Sequence, residues 1–95
     1  MVVGLCKIYM RADWARSLKD KRMEIRSLTD KTRHRFNISI AEVADNDVIN
    51  SIVLGFACVT NEFSHAEEMI SKAAGFIENI SDSEIIKIEK DLDKF

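Results

Sequence analysis

Between Val2 and Ala12 the chain alternates without a break, with Val2, Gly4, Cys6, Ile8, Met10 and Ala12 on one side and Lys7, Tyr9 and Arg11 on the other. A period of two specifies a strand with one buried face, and that face requires a second layer to cover it. The next segment changes period. Leu18, Ile25, Leu28 and Phe36, with Thr29 and Thr32 between them, fall on one stripe at about 100° per residue, the pattern of an amphipathic helix. Ser17 stands before it as an N-cap, with Asp20 three residues on.

The same two periods then repeat in a fixed order. "FNISIAEV" alternates through Phe36, Ile38 and Ile40, and "DND" (Asp45 to Asp47) is a turn signal. "NSIVLGFACVT" is apolar on both sides, as a central strand is. Ser64 and Glu67 make an S-x-x-E capping box ahead of a second helix built on Ala66, Met69, Ile70, Ala73, Ala74 and Ile77. "SDS" ends it, and "EIIKIEKDL" is a final strand expected to turn Ile86 and Ile88 to the core.

The order β-α-β-β-α-β predicts a single α+β domain over residues 1–95. Its architecture is ferredoxin-like, a four-stranded antiparallel sheet with both helices on one face. The first and third strands are then central. Gly4 and Cys6, with Gly55 and Ala57, are expected beneath the helices, where small residues permit close packing. Val3, Leu5, Ile52, Leu54, Phe56 and Cys58 are expected on the open face. An apolar patch of that kind marks a contact surface, most simply a two-fold homodimer, with Leu5, Tyr9, Leu54 and Phe56 as candidate contact residues.

In "LCKIYMR", "RSLKDKR", "FNISIAEV", "VLGFACVTN" and the acidic helix that follows, the whole chain resembles the YlxP-like family of small bacterial proteins, grouped as a domain of unknown function. The resemblance implies the same ferredoxin-like fold and brings no catalytic residues. Genes of such proteins often lie among those for translation initiation and ribosome maturation, so it implies RNA or the ribosome as a partner by association alone. Thr32 departs from it, standing where members tend to carry an apolar residue.

Charge gives the candidate site. Residues 1–36 hold ten Lys and Arg against four Asp and Glu, while residues 37–95 hold four against twelve. On the first helix Lys19, Arg22, Arg26 and Arg33 fall within about 60° of one another beside the apolar stripe, and Lys31 and Arg35 lie on the other flank with Asp20 and Glu24. Arg11 and Arg16 are expected to extend the first group toward the helix N-terminus, where free backbone N–H groups also attract anions. Such a stripe either meets phosphates of RNA or the ribosome, or is answered inside the fold by water and by Glu67, Glu68 and Glu78 of the second helix. In the second case the protein is a structural or regulatory homodimer with no nucleic-acid role.

Other chemistry finds little footing. The third strand shares Gly55, Phe56, Ala57 and Val59 with the RNA-recognition signature but lacks its leading cation and two aromatics; Tyr9 beside Phe56 would supply a stacking pair. His34 and His65 have no partner at a spacing that implies a triad or a metal, and Cys6 and Cys58 are expected on opposite faces of the sheet. Asn61 is expected to cap the second helix and Trp14 to lie as a lid on the core. The three glycines fit no phosphate loop. The expectation is a non-catalytic protein without metal or cofactor. With 46% hydrophobic and 32% charged residues, a short apolar opening and no paired cysteine motif, the chain reads as cytoplasmic and not membrane-bound.

Overall fold

A computed structural model describes all of residues 1–95. The elements follow the expected order: β1 (Val2–Arg11), α1 (Leu18–Arg35), β2 (Ser39–Ala44), β3 (Ser51–Thr60), α2 (Phe63–Ile80) and β4 (Glu84–Lys94). They build a ferredoxin-like fold whose antiparallel sheet runs β2-β3-β1-β4, with β1 and β3 at its centre. No helix is long and apolar enough to cross a membrane.

The core lies between the helices and one sheet face. Ile8, Leu28, Ile52, Leu54, Ile70 and Ile77 are fully buried there, each contributing about 1.5–3 kcal/mol relative to exposure. Gly4 lets α2 approach: a Cβ added to it would lie 2.8 Å from Ile70 Cδ1 and 2.9 Å from Cys58 Sγ.

The register fixes which residues of β3 share that face, and corrects the sequence expectation. Gly4 stands opposite Cys58, Cys6 opposite Phe56, and Ile8 opposite Leu54. Ile52, Leu54, Phe56 and Cys58 therefore point to the helices and are 3% exposed or less. Gly55 and Ala57 point the other way, beside Lys7 and Leu5. A strand apolar on both sides carries no readable phase, and only its pairing supplies one. Cys6 and Cys58 thus share the helix-facing side, where both are buried and free.

Three local readings change as well. The second helix starts at Phe63, with Glu62 in the N-cap position and no side-chain capping bond, so Ser64 and Glu67 form no box at its start and Asn61 does not cap it. In β4 the register slips where Tyr9 gives way to Met10, which turns Ile85 toward the core and leaves Ile86 53% exposed. Ile88 pairs with Ile8 but lies on an edge strand and stays open to solvent. Trp14 is partly exposed, and its Nε1 donates to Ser83 Oγ at 3.0 Å, tying the loop before α1 to the turn before β4.

Candidate functional site

The geometry of α1 begins at its cap. Ser17 Oγ accepts from the Asp20 backbone N–H at 3.1 Å, and the Asp20 carboxylate accepts from the Arg16 backbone N–H at 3.0 Å. Asp20 therefore closes its half of the box one residue further back than a Glu would. Along the core face, Thr32 Oγ1 donates to the Leu28 carbonyl at 2.6 Å and Thr29 Oγ1 to that of Arg26 at 3.2 Å. Both threonines are buried with their hydroxyls satisfied within the helix, so a polar residue at 32 is accommodated in the core.

Rotation of the helix is pinned by Lys21, which no hydrophobic pattern marks as buried. Its ammonium is wholly inaccessible, donates to the carbonyls of Asp45 (2.5 Å) and Val48 (2.8 Å), and lies 3.0 Å from Glu42 Oε2. That last contact is an ion pair without hydrogen-bond alignment, since Oε2 has no bonding partner in line. Its one sequence signal is position: Lys21 falls on the helical stripe of Leu28 and Thr32, where a charge must find a partner.

With α1 so held, Lys19, Arg22, Arg26 and Arg33 emerge on its β2 side, all exposed. Arg33 marks the direction: its Nη2 donates to the Ile40 carbonyl on β2 at 3.3 Å, and its Nη1 pairs with Asp30 at 3.1 Å. Lys19, Arg22 and Arg26 have no acid within salt-bridge distance; the ion pairs of the chain are Lys21–Glu42, Arg33–Asp30, Lys72–Glu68 and Lys87–Glu89. The acidic second helix does not answer the stripe. Glu68 is taken by Lys72, whose hydrogen bond holds its carboxyl below the usual range. What faces α2 is the other flank of α1, where the Arg35 guanidinium lies 5.1 Å from the Phe76 ring and Phe36 meets Phe76 edge-on at 5.6 Å.

Arg16 stays beside the helix N-terminus, exposed. Arg11 does not join it. It ends β1 on the sheet side away from the helices, out of phase with the buried Val2, Cys6, Ile8 and Met10.

The open sheet face also differs from the expected one. Leu5 and Tyr9 are on it; Leu54 and Phe56 are in the core, at 0% and 3% exposure. A Tyr9–Phe56 stacking pair therefore does not exist, because the two rings lie on opposite sides of the sheet. Tyr9 is already engaged: its hydroxyl donates to Glu89 Oε1 at 2.5 Å, and the Lys7 and Lys87 ammoniums each lie 5.6 Å from its ring. That hydrogen bond, with Lys87 and Lys7 adding to it, holds the Glu89 carboxyl below the usual carboxylate range. Between Leu5 and Val43 runs a shallow trough of about 600 Å³ floored by Ser39, Ala41, Gly55 and Ala57.

Elsewhere the ionisable groups do not converge. His65 Nδ1 sits 3.1 Å from Thr60 Oγ1, His34 is exposed near Arg35 at the end of α1, and no three His, Cys, Asp or Glu side chains are arranged to hold a metal ion. Burial pushes the Cys6 thiol up to about 11, away from nucleophilic character at neutral pH.

Fold and surface together define a small α+β protein of the ferredoxin-like class, with a basic helix face on one layer and a bare sheet on the other. Likeness to solved structures agrees on the fold. A de novo designed protein with ferredoxin fold superposes with a TM-score of 0.57 at 11% identity, over all of this chain and 87% of that one. The designed protein Foldit4 gives 0.54 at 10% identity, over 99% of this chain and 97% of that one. The chain belongs to the DUF503 family, described as a protein of unknown function, which it matches over residues 3–90. It is similar to the uncharacterized protein YlxP of Bacillus subtilis (strain 168), with 27% identity over 70 residues, 74% of this chain and 76% of that protein.

Proposed function

We propose that this protein is a non-catalytic binding module that docks on RNA of the translation apparatus through the β2-side face of α1. The reading rests on one observation: Lys19, Arg22 and Arg26 project from two turns of one helix face, exposed and without an acidic partner, in a chain of net charge −2. Arg22 and Arg26 are like charges four residues apart, an arrangement that costs a few tenths of a kcal/mol in an isolated helix. A phosphate backbone would reverse that cost, since each neutralised phosphate releases condensed counterions. Arg33, half committed to Asp30 and Ile40, extends the face at its far end; Arg16 lies at the near end. From Lys19 to Arg33 the face spans about 20 Å at 1.5 Å per residue, enough to follow several phosphates. The family resemblance supports the translation apparatus as the source of the RNA.

Co-sedimentation with ribosomal subunits tests it. The wild-type protein is expected to pellet with subunits at low salt and to be released as salt rises, and Arg22→Glu/Arg26→Glu is expected to remain in the supernatant throughout. Equal pelleting by the double variant overturns the proposal, as does no wild-type pelleting at low salt.

A further inference from the structure

We infer that the recess between the last turn of α1 and Phe76 of α2 is a nucleotide site, which takes one unpaired base against Arg35 and its phosphate on Lys31 and His34. The recess measures about 580 Å³ and is lined by Asp30, Lys31, His34, Arg35 and Phe76. It lies on the flank of α1 that faces α2, away from Lys19, Arg22 and Arg26.

Two features specify the ligand. The first is charge. Lys31 and Arg35, four residues apart, and His34 between them are exposed on one flank of the helix, and none lies within salt-bridge distance of an acid. The one carboxylate in the lining, Asp30, is already neutralised by Arg33 at 3.1 Å. Cations suit a helix C-terminus in any protein, so charge alone selects an anion and no particular one. The second feature is a flat surface. The Arg35 guanidinium lies 5.1 Å from the centre of the Phe76 ring and 6.0 Å from that of Phe36, and the two rings meet edge-on at 5.6 Å. Rings from the end of α1 and from α2 thus hold the guanidinium in place, and an ordered guanidinium plane is a stacking surface for a nucleobase. A planar base joined to a phosphate answers both features; a bare phosphate answers only the first.

That the nucleotide belongs to an RNA strand rests on the docking reading above. Arg33 ends the basic stripe and shares the last turn of α1 with His34 and Arg35, so a strand leaving the stripe meets basic side chains as far as the recess.

Titration with AMP and with inorganic phosphate, followed by backbone amide shifts, tests the site without RNA. AMP is expected to move the resonances of Lys31, His34, Arg35 and Phe76 and to bind at least about fivefold tighter than phosphate, the smallest contribution of one stacked base. Arg35→Lys keeps the charge and loses the plane, so its AMP affinity is expected to fall to that for phosphate. Arg22→Glu/Arg26→Glu is expected to bind AMP as the wild type does. With RNA, a hairpin carrying a single-stranded extension is expected to bind at least about fivefold tighter than the same hairpin blunt-ended, a gain absent in Arg35→Lys. Equal affinity for AMP and phosphate, or AMP affinity unchanged by Arg35→Lys, overturns the inference. Two hairpins of equal affinity overturn the RNA source. Selective AMP binding with no RNA binding overturns the docking reading and keeps the site, with free nucleotides as its occupants.

Discussion

Lys21 and Glu42 form an ion pair at 3.0 Å across α1 and β2, with the lysine fully buried and its ammonium donating to the Asp45, Asn46 and Val48 carbonyls. One side chain thus fixes both the rotation of the helix and the β2–β3 turn, where Asp45 takes a positive φ of 55°. Removing the lysine leaves a largely buried carboxylate without its counter-ion, held only by the Asn46 side-chain amide, and takes one donor each from the Asp45 and Val48 carbonyls, which keep their turn bonds from the Val48 and Ser51 N–H groups. Lys21→Met is expected to cost about 3–5 kcal/mol in urea unfolding, and Lys21→Met/Glu42→Leu to regain part of it. Hydrogen exchange of residues 45–50 should accelerate in the single variant beyond what its lower global stability explains.

Gly4 is the close approach between sheet and α2. Gly4→Ala places a methyl 2.8 Å from Ile70 Cδ1 and 2.9 Å from Cys58 Sγ, so it should destabilise by about 1–3 kcal/mol. Ile70→Val shortens the offending side chain, and combining it with Gly4→Ala should cost less than the two changes summed.

The two serines that open helices should separate cleanly. Ser17 caps α1 through a bond to Asp20, so Ser17→Ala is expected to cost about 1 kcal/mol. Ser64 already lies inside α2, so Ser64→Ala should change stability by less than about 0.5 kcal/mol in the same denaturation series.

Cys6 makes stability depend on alkaline pH. Its folded thiol is raised from 9.0 to about 11 by burial, so the unfolded chain loses this proton first. Below pH 9 both states are protonated and nothing is lost; between about 9 and 11 the unfolded state binds fewer protons and stability falls as pH rises. Cys6→Ala should remove that component of the slope, measured by denaturation at a series of pH values. Alkylation of Cys6 in the folded wild type should be slow at pH 8.

The fold was legible because its elements state their period: β1 by strict alternation, α1 by its stripe and Ser17 cap, and their order by the turn signals between them. What was not legible required knowing partners. The phase of β3 follows from Gly4 facing Cys58, a pairing that no local pattern encodes, and so Leu54 and Phe56 lie in the core instead of on the open face. The slip at Tyr9 that turns Ile86 outward is likewise a property of two strands together. The burial of Lys21 depends on carbonyls 24 and 27 residues away. The exposed cations of α1 could be placed from the helical wheel alone; that α2 leaves them unanswered could not, because Glu68 turns to Lys72 and Arg35 faces Phe76.

RNA docking through α1 requires that Lys19, Arg22 and Arg26 meet phosphates. Affinity for a ribosomal RNA fragment, measured across a salt series, should fall linearly in log–log form. For Arg22→Glu/Arg26→Glu the slope should be shallower by about 1.4–1.8, the counterions of two phosphate contacts, with affinity at least tenfold weaker at low salt. Identical slopes and affinities for the two proteins would contradict it.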